Sequence, residues 1–185
     1  MKMKVRPLGL AGALLVLVLA LCGCGSATSA GGEAQASLAK EATSPKRVYL
    51  AGPFFNDEEV KNIELAESVC KEKGLEYFSP MRNSVDSEPG TSEWAKKIFE
   101  VDKEEIGKAD VVVAMYYGNN SDSGTAWECG YASAIGKPVV LVHTHRDSDS
   151  NLMMHCGATT NIYLDELADY DFTTMPVYEY KGKMI

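Results

Sequence analysis

The segment from Asn119 to Ala132 concentrates the residue types that could do chemistry: Ser121, Asp122, Ser123, Thr125 and Glu128, with Cys129 and Tyr131 beside them. Glu128 has weakly polar or apolar neighbours in Ala126, Trp127, Cys129 and Tyr131. In the first turns of a helix, a carboxylate lies near the positive end of the helix dipole, which favours its anionic form. Kept from water and oriented, such a carboxylate can attack the anomeric carbon of a sugar. Asp122 precedes it in the loop, and Asp102 lies on the helix before, so three carboxylates could converge. The same residues also suit a helix N-terminal charge and a solvated helix face, and spacing leaves both readings open.

Other chemistries find less support. No G-x-G-x-x-G or Walker A pattern follows the first strand, and Gly52-Pro53-Phe54-Phe55 is too bulky, and lacks the Lys, to cradle a polyphosphate. There is no G-x-S-x-G elbow. His143, His145, Asp147, Asp149 and His155 read as solvated loop residues rather than a metal site. Cys70, Cys129 and Cys156 are odd in number and have no C-x-x-C spacing, which suits core thiols better than a disulfide framework or a zinc site. Neither metal nor cofactor is expected.

The elements that must position the carboxylates follow from apolar spacing. Arg47 to Ala51 is a short apolar run stopped by Gly52-Pro53, hence a strand and a turn. Asn56 or Asp57 caps a helix to about Lys73, with Val60, Ile63, Leu65, Ala66 and Val69 as its buried stripe. Leu75 to Phe78 is a second strand, and Arg82 to Gly90 a polar loop. A helix runs from Ser92 to Gly107. Asp110 to Met115 is an unbroken apolar strand, suited to burial on both faces of a parallel sheet. Thr125 to Ile135 is helical, Val139 to Val142 a strand, Leu152 the centre of a short helix, and Asn161 to Leu164 a fifth strand. This alternation predicts a three-layer α/β domain, flavodoxin/Rossmann-like, with a central parallel sheet of about five strands. Ligands then bind outside the carboxyl ends of the strands, where the polar loops collect.

The N-terminus has another character. Lys2, Lys4 and Arg6 precede an apolar run from Leu8 to Leu21, short for a transmembrane helix, which needs roughly 20 residues. Leu21-Cys22-Gly23-Cys24 resembles a bacterial lipobox, which implies a signal peptide over residues 1–23, lipid on Cys24 and a membrane-anchored, extracytoplasmic protein. Residues 24–44, rich in Gly, Ala, Ser and Thr, read as a flexible tether, and 45–185 as the folded domain. The net charge of -8 makes the chain a poor binder of nucleic acid or anionic lipid.

Several strings together resemble the nucleoside 2-deoxyribosyltransferase family. They are Val48-Tyr49-Leu50-Ala51-Gly52-Pro53-Phe54-Phe55, Glu100 to Ile106, Asp110-Val111-Val112-Val113, and Asp122-x-Gly124-x-x-x-Glu128-x-Gly130-Tyr131-Ala132. Asn151-Leu152-Met153 fits the family's later loop. The resemblance implies an enzyme moving 2-deoxyribose between free nucleobases, with Glu128 as nucleophile at C1′. It implies that Asp102 contacts the departing base, Tyr49 orients Glu128, and Asp122 binds the 5′-hydroxyl. Gly124 belongs to the same string, Phe54 and Phe55 match an apolar wall beside Gly52, and Asn151 and Met153 match residues supplied by a neighbouring subunit of a homo-oligomer.

This chain departs from the pattern in its lipoprotein signal, in the Gly52-Pro53 turn, and in a tail that lacks the terminal aromatic residue of some members. Two other functions compete. One is an N-glycosidase hydrolysing 2′-deoxynucleosides or their 5′-monophosphates, kept open by Arg82, Ser121 and Ser123 but opposed by Asp122, whose charge repels a phosphate dianion. The other is a non-catalytic surface receptor for nucleosides, against which the intact Glu128 and Asp102 argue.

Overall fold

The structure, a computed structural model, describes residues 47–185. The expected signal segment 1–23, the tether 24–44 and Cys24 lie outside the described residues. The elements are β1 (Arg47–Ala51), α1 (Asp57–Glu72), β2 (Glu76–Phe78), α2 (Ser92–Lys108), β3 (Val111–Tyr116), α3 (Ser123–Ala134), β4 (Val139–His143), α4 (Leu152–Gly157) and β5 (Thr160–Tyr163). The strands form one sheet in the order β2-β1-β3-β4-β5, and every neighbouring pair is parallel. The order reverses between β1 and β3, so the carboxyl ends of these two strands flank the crevice where doubly wound sheets take ligands.

Period-two alternation divides the core into two. Val48 and Leu50 of β1, with Val111, Val113 and Met115 of β3, pack against Ile63, Ala66 and Val69 of α1. Tyr49, Ala51, Val112, Ala114 and Tyr116 face the other way, toward Ile106 of α2, Cys129 and Ala132 of α3, and Met154 of α4. Each large side chain so buried contributes about 1.5–3 kcal/mol relative to exposure. The consequence for function is that Tyr49 must point to the side of the sheet that carries α2 and α3.

Helix starts follow side-chain chemistry. Asn56 caps α1, its Oδ1 accepting from the Glu58 and Glu59 N–H groups at 3.0 and 3.1 Å, with Asp57, Glu58 and Glu59 in the first turn. Leu65, expected in the buried stripe, is exposed. Asn62 and Glu67 are buried in the same helix. Both have partners there: Asn62 Nδ2 donates to the Tyr117 hydroxyl at 2.8 Å, and the Arg82 guanidinium grips Glu67 at 3.0 Å.

Two further expectations are corrected. His143 is not a solvated loop residue but the last residue of β4, 1% exposed. Its Nε2 lies 3.0 Å from Asn161 Oδ1, its ring stacks on Tyr180 at 4.1 Å, and burial lowers its pKa. Cys70 and Cys129 are the expected buried thiols, but Cys156 is exposed on α4.

Candidate active site

The site forms where β1 meets α2 and α3. Tyr49 is fully buried at the middle of β1, its ring stacked on Phe78 of β2 with centroids 5.8 Å apart. Its hydroxyl donates to Glu128 Oε1 at 2.6 Å. Burial and the adjacent carboxylates raise the Tyr49 pKa, so the phenol stays protonated and remains a donor.

The D-x-G-x-x-x-E spacing has a local explanation. Asp122 is the N-cap of α3, and its Oδ2 accepts the Thr125 N–H at 3.0 Å. A Cβ on Gly124 would stand 2.7 Å from that same oxygen, so the cap needs glycine two residues on. Glu128 then falls in the second turn and turns toward Tyr49.

Glu128 does not behave as its helix position suggests. Desolvation, with Asp102 and Asp122 nearby, raises its pKa to about 7, and the Tyr49 hydrogen bond only partly offsets this. Burial dominates because a second-turn carboxylate has left the strongest part of the helix-end field. Asp102, on the face of α2 turned toward α3, is raised by desolvation to about 6, and its Oδ1 is buried without a hydrogen-bond partner. Of the three carboxylates foreseen from sequence, Asp102 and Asp122 each lie within electrostatic reach of Glu128. A pair of desolvated carboxyls titrating near 6 and 7 can hold one proton between them, leaving one group as nucleophile and the other as proton donor.

Residues 48–162, from β1 to β5, match the family model for nucleoside 2-deoxyribosyltransferase. The chain belongs to that family. A nucleoside deoxyribosyltransferase of Limosilactobacillus fermentum is 31% identical over 144 residues, covering 68% of this chain and 86% of that protein. Another, of Lactobacillus leichmannii, is 27% identical over 151 residues, covering 74% and 96%. A solved structure of a 2-deoxyribosyltransferase from Bacillus psychrosaccharolyticus superposes with a TM-score of 0.64 at 35% identity, over 72% of this chain and 98% of that one.

Seen as a member of the nucleoside 2-deoxyribosyltransferase family, the chain divides its expected site residues into two groups. Asn151 and Met153 line a cavity of about 430 Å³ with Tyr116, Ser121 and Asp122. The α3 residues facing this cavity are Ser123, Ala126, Cys129 and Gly130. At 100° per residue, Glu128 projects from nearly the opposite side of the helix. Within one chain, α3 thus stands between Glu128 and the Asn151–Met153 pair, and Asp122 at the helix tip and Cys129 border both sides. Phe54 and Phe55 stack on each other at 5.8 Å beyond β1, with Phe55 77% exposed. Gly52 has a packing reason, since a Cβ there would come within 2.9 Å of Ile63 Cδ1 and 3.0 Å of Met115 Cβ.

Arg82 is committed elsewhere. Its Nε and Nη2 bind Glu67 and Glu64 of α1 at 3.0 Å each, on the face of the sheet away from Glu128. Among the described residues no group of three or more His, Cys, Asp or Glu is arranged to hold a metal ion. Sequence reasoning missed Tyr116, whose hydroxyl accepts the Asn151 N–H at 2.8 Å. An apolar run marks a strand but not which of its members will face a ligand cavity.

Proposed function

We propose that this chain is an enzyme transferring 2-deoxyribose from a 2′-deoxynucleoside to a second free nucleobase. The observation that carries the reading is the 2.6 Å bond from Tyr49 to Glu128 in a desolvated setting shared with Asp102. An oxygen of the Glu128 carboxylate attacks C1′. The bond from C1′ to the base nitrogen breaks, its electron pair leaves with the base, and Asp102 gives the base a proton. The acceptor base then attacks C1′ of the glycosyl ester, the ester bond breaks, Glu128 leaves as carboxylate, and Asp102 takes back a proton. Two inversions retain the configuration at C1′. Tyr49 orients the nucleophile by donating to it, and Asp122 offers an acceptor to the sugar's 5′-hydroxyl.

Hydrolysis of a 5′-monophosphate fits less well. Arg82 is held by Glu64 and Glu67, and the Asp122 carboxylate repels a dianion.

Asn151 and Met153 act in the site of a neighbouring subunit, a reading supported by their place across α3 from Glu128 and by the 74% exposure of Met153. The enzyme is exported by its signal segment and anchored through lipid on Cys24, so that it handles nucleosides outside the cytoplasm. This rests on Leu21-Cys22-Gly23-Cys24.

The test is incubation of the detergent-purified full chain with a deoxynucleoside and a second base. New deoxynucleoside should form with the parent and not with Glu128→Ala; activity retained in that variant would remove Glu128 from its role. Mixed oligomers of Glu128→Ala and Asn151→Ala chains should regain activity through sites that combine intact halves. No recovery in verified mixed oligomers would sink the shared site.

A further inference from the structure

The loop that carries Asn151 is held from two sides, and one holder lies beyond the residues 48–162 that match the family. The last three residues run beside it. Ser150 N–H donates to the Lys183 carbonyl, Ile185 N–H to the Ser150 carbonyl, and Leu152 N–H to the Ile185 carbonyl, each at 2.9 Å. Ser150 and Met184 form a parallel bridge, and Lys183 Nζ reaches Asp149 at 3.0 Å. The Tyr180 hydroxyl donates to the Ser148 carbonyl one step earlier. On the opposite side stands β3. Tyr116 accepts the Asn151 N–H at 2.8 Å, and Gly118 lies so close that a Cβ there would be 2.7 Å from Ser148 Cβ.

From this two-sided clamp, we infer that the strap Lys183–Ile185 and Tyr116 are positioning elements that set where Asn151 and Met153 present themselves to substrate. The inference rests on the reading above that these two residues reach substrate. The strap works through its backbone: the side chains of Met184 and Ile185 are 51% and 47% exposed, whereas Ser150, between strap and sheet, is fully buried. Asn151 in turn accepts the Met153 N–H at 2.9 Å, so a shift of the loop carries both residues with it. Neither Tyr116 nor the strap touches the reacting atoms. Their loss weakens substrate binding without altering the attack by Glu128.

The experiment compares Ile185→Pro, which removes one strap N–H, with Ile185→Ala, which keeps it, and adds Tyr116→Phe, all in the full chain. KM and kcat for a deoxynucleoside are measured beside backbone hydrogen exchange over residues 148–156. Ile185→Pro and Tyr116→Phe should each raise KM roughly fivefold, the factor for one ordinary hydrogen bond, with kcat within about twofold of the parent. Exchange around Ser150 to Leu152 should quicken in Ile185→Pro and stay at the parental rate in Ile185→Ala. Identical behaviour of the Pro and Ala variants, or a fall in kcat at unchanged KM, would overturn the inference. A parent chain that neither transfers nor releases a base would instead defeat the functional reading, and the exchange comparison would still decide whether the strap holds the loop.

Discussion

The hydroxyl of Tyr49 donates to Glu128 Oε1 at 2.6 Å, joining residues 79 apart in sequence. The bond runs from the middle of β1 to the second turn of α3, across the switch point of the sheet. It lowers the Glu128 pKa in a place where burial, Asp102 and Asp122 all raise it.

Removing that donor has a signed consequence. Tyr49→Phe should lower kcat about 10- to 100-fold. The alkaline limb of kcat/KM should also move to higher pH and the maximum should fall, because Glu128, the group with the higher of the two pKa values, loses the one contact that holds it down. A rate loss with the limb in its original place would show that Tyr49 supports the fold rather than the nucleophile.

The two carboxyls predict a bell-shaped pH dependence of kcat/KM. Glu128 must be ionised to attack and Asp102 protonated to serve the leaving base; with Glu128 near 7 and Asp102 near 6 that combination is a minority form, and its share is largest between the two values. The groups interact, so the apparent values belong to the pair. Activity should peak in this narrow range and decline on both sides. Asp102→Asn should cost about 10²–10⁴ in rate and abolish the alkaline limb. A profile flat from acid to alkaline pH in the parent would contradict the assignment.

Asp102 also bears on stability. Its pKa in the fold stands near 6 against an ordinary 3.8, so the fold favours the neutral carboxyl. That contribution is complete below the unfolded value and disappears as pH rises through about 6. The permanently neutral Asp102→Asn should therefore melt about 3 °C higher than the parent at pH 8 and show little gain at pH 3. A lower Tm at pH 8 would mean that the carboxylate has a structural partner.

Gly124→Ala tests the cap. The added Cβ meets Asp122 Oδ2 at 2.7 Å, so the Asp122 bond to Thr125 must lengthen or the helix start must move. A loss of about 1 kcal/mol is expected in denaturant unfolding, together with a raised KM if Asp122 holds the sugar. An unchanged KM beside the lost stability would confine Asp122 to capping.

Much of this architecture can be read from local pattern. The strands and helices emerge near their expected ends because turns, caps and apolar periods depend on neighbouring residues. The α1 stripe partly fails at Leu65, since period alone does not say where the helix face ends. Buried Glu67 is stabilised by Arg82, a partner 15 residues away. His143 escaped recognition because a histidine beside Thr144 and Arg146 looks solvated until Tyr180 returns to cover it.

By itself, the sequence determined the order of the elements, the two-faced alternation of β1 and β3, and the D-x-G-x-x-x-E string with its cap, because each is settled within a few residues. Only the tertiary structure decided that Glu128 and Asp102 share a desolvated space, that Tyr49 bonds to Glu128, and that Asn151 and Met153 stand on the other flank of α3. Those relationships depend on which helices lie side by side over a parallel sheet. Removal of water by that packing, rather than helix position, sets the charge on the carboxyls.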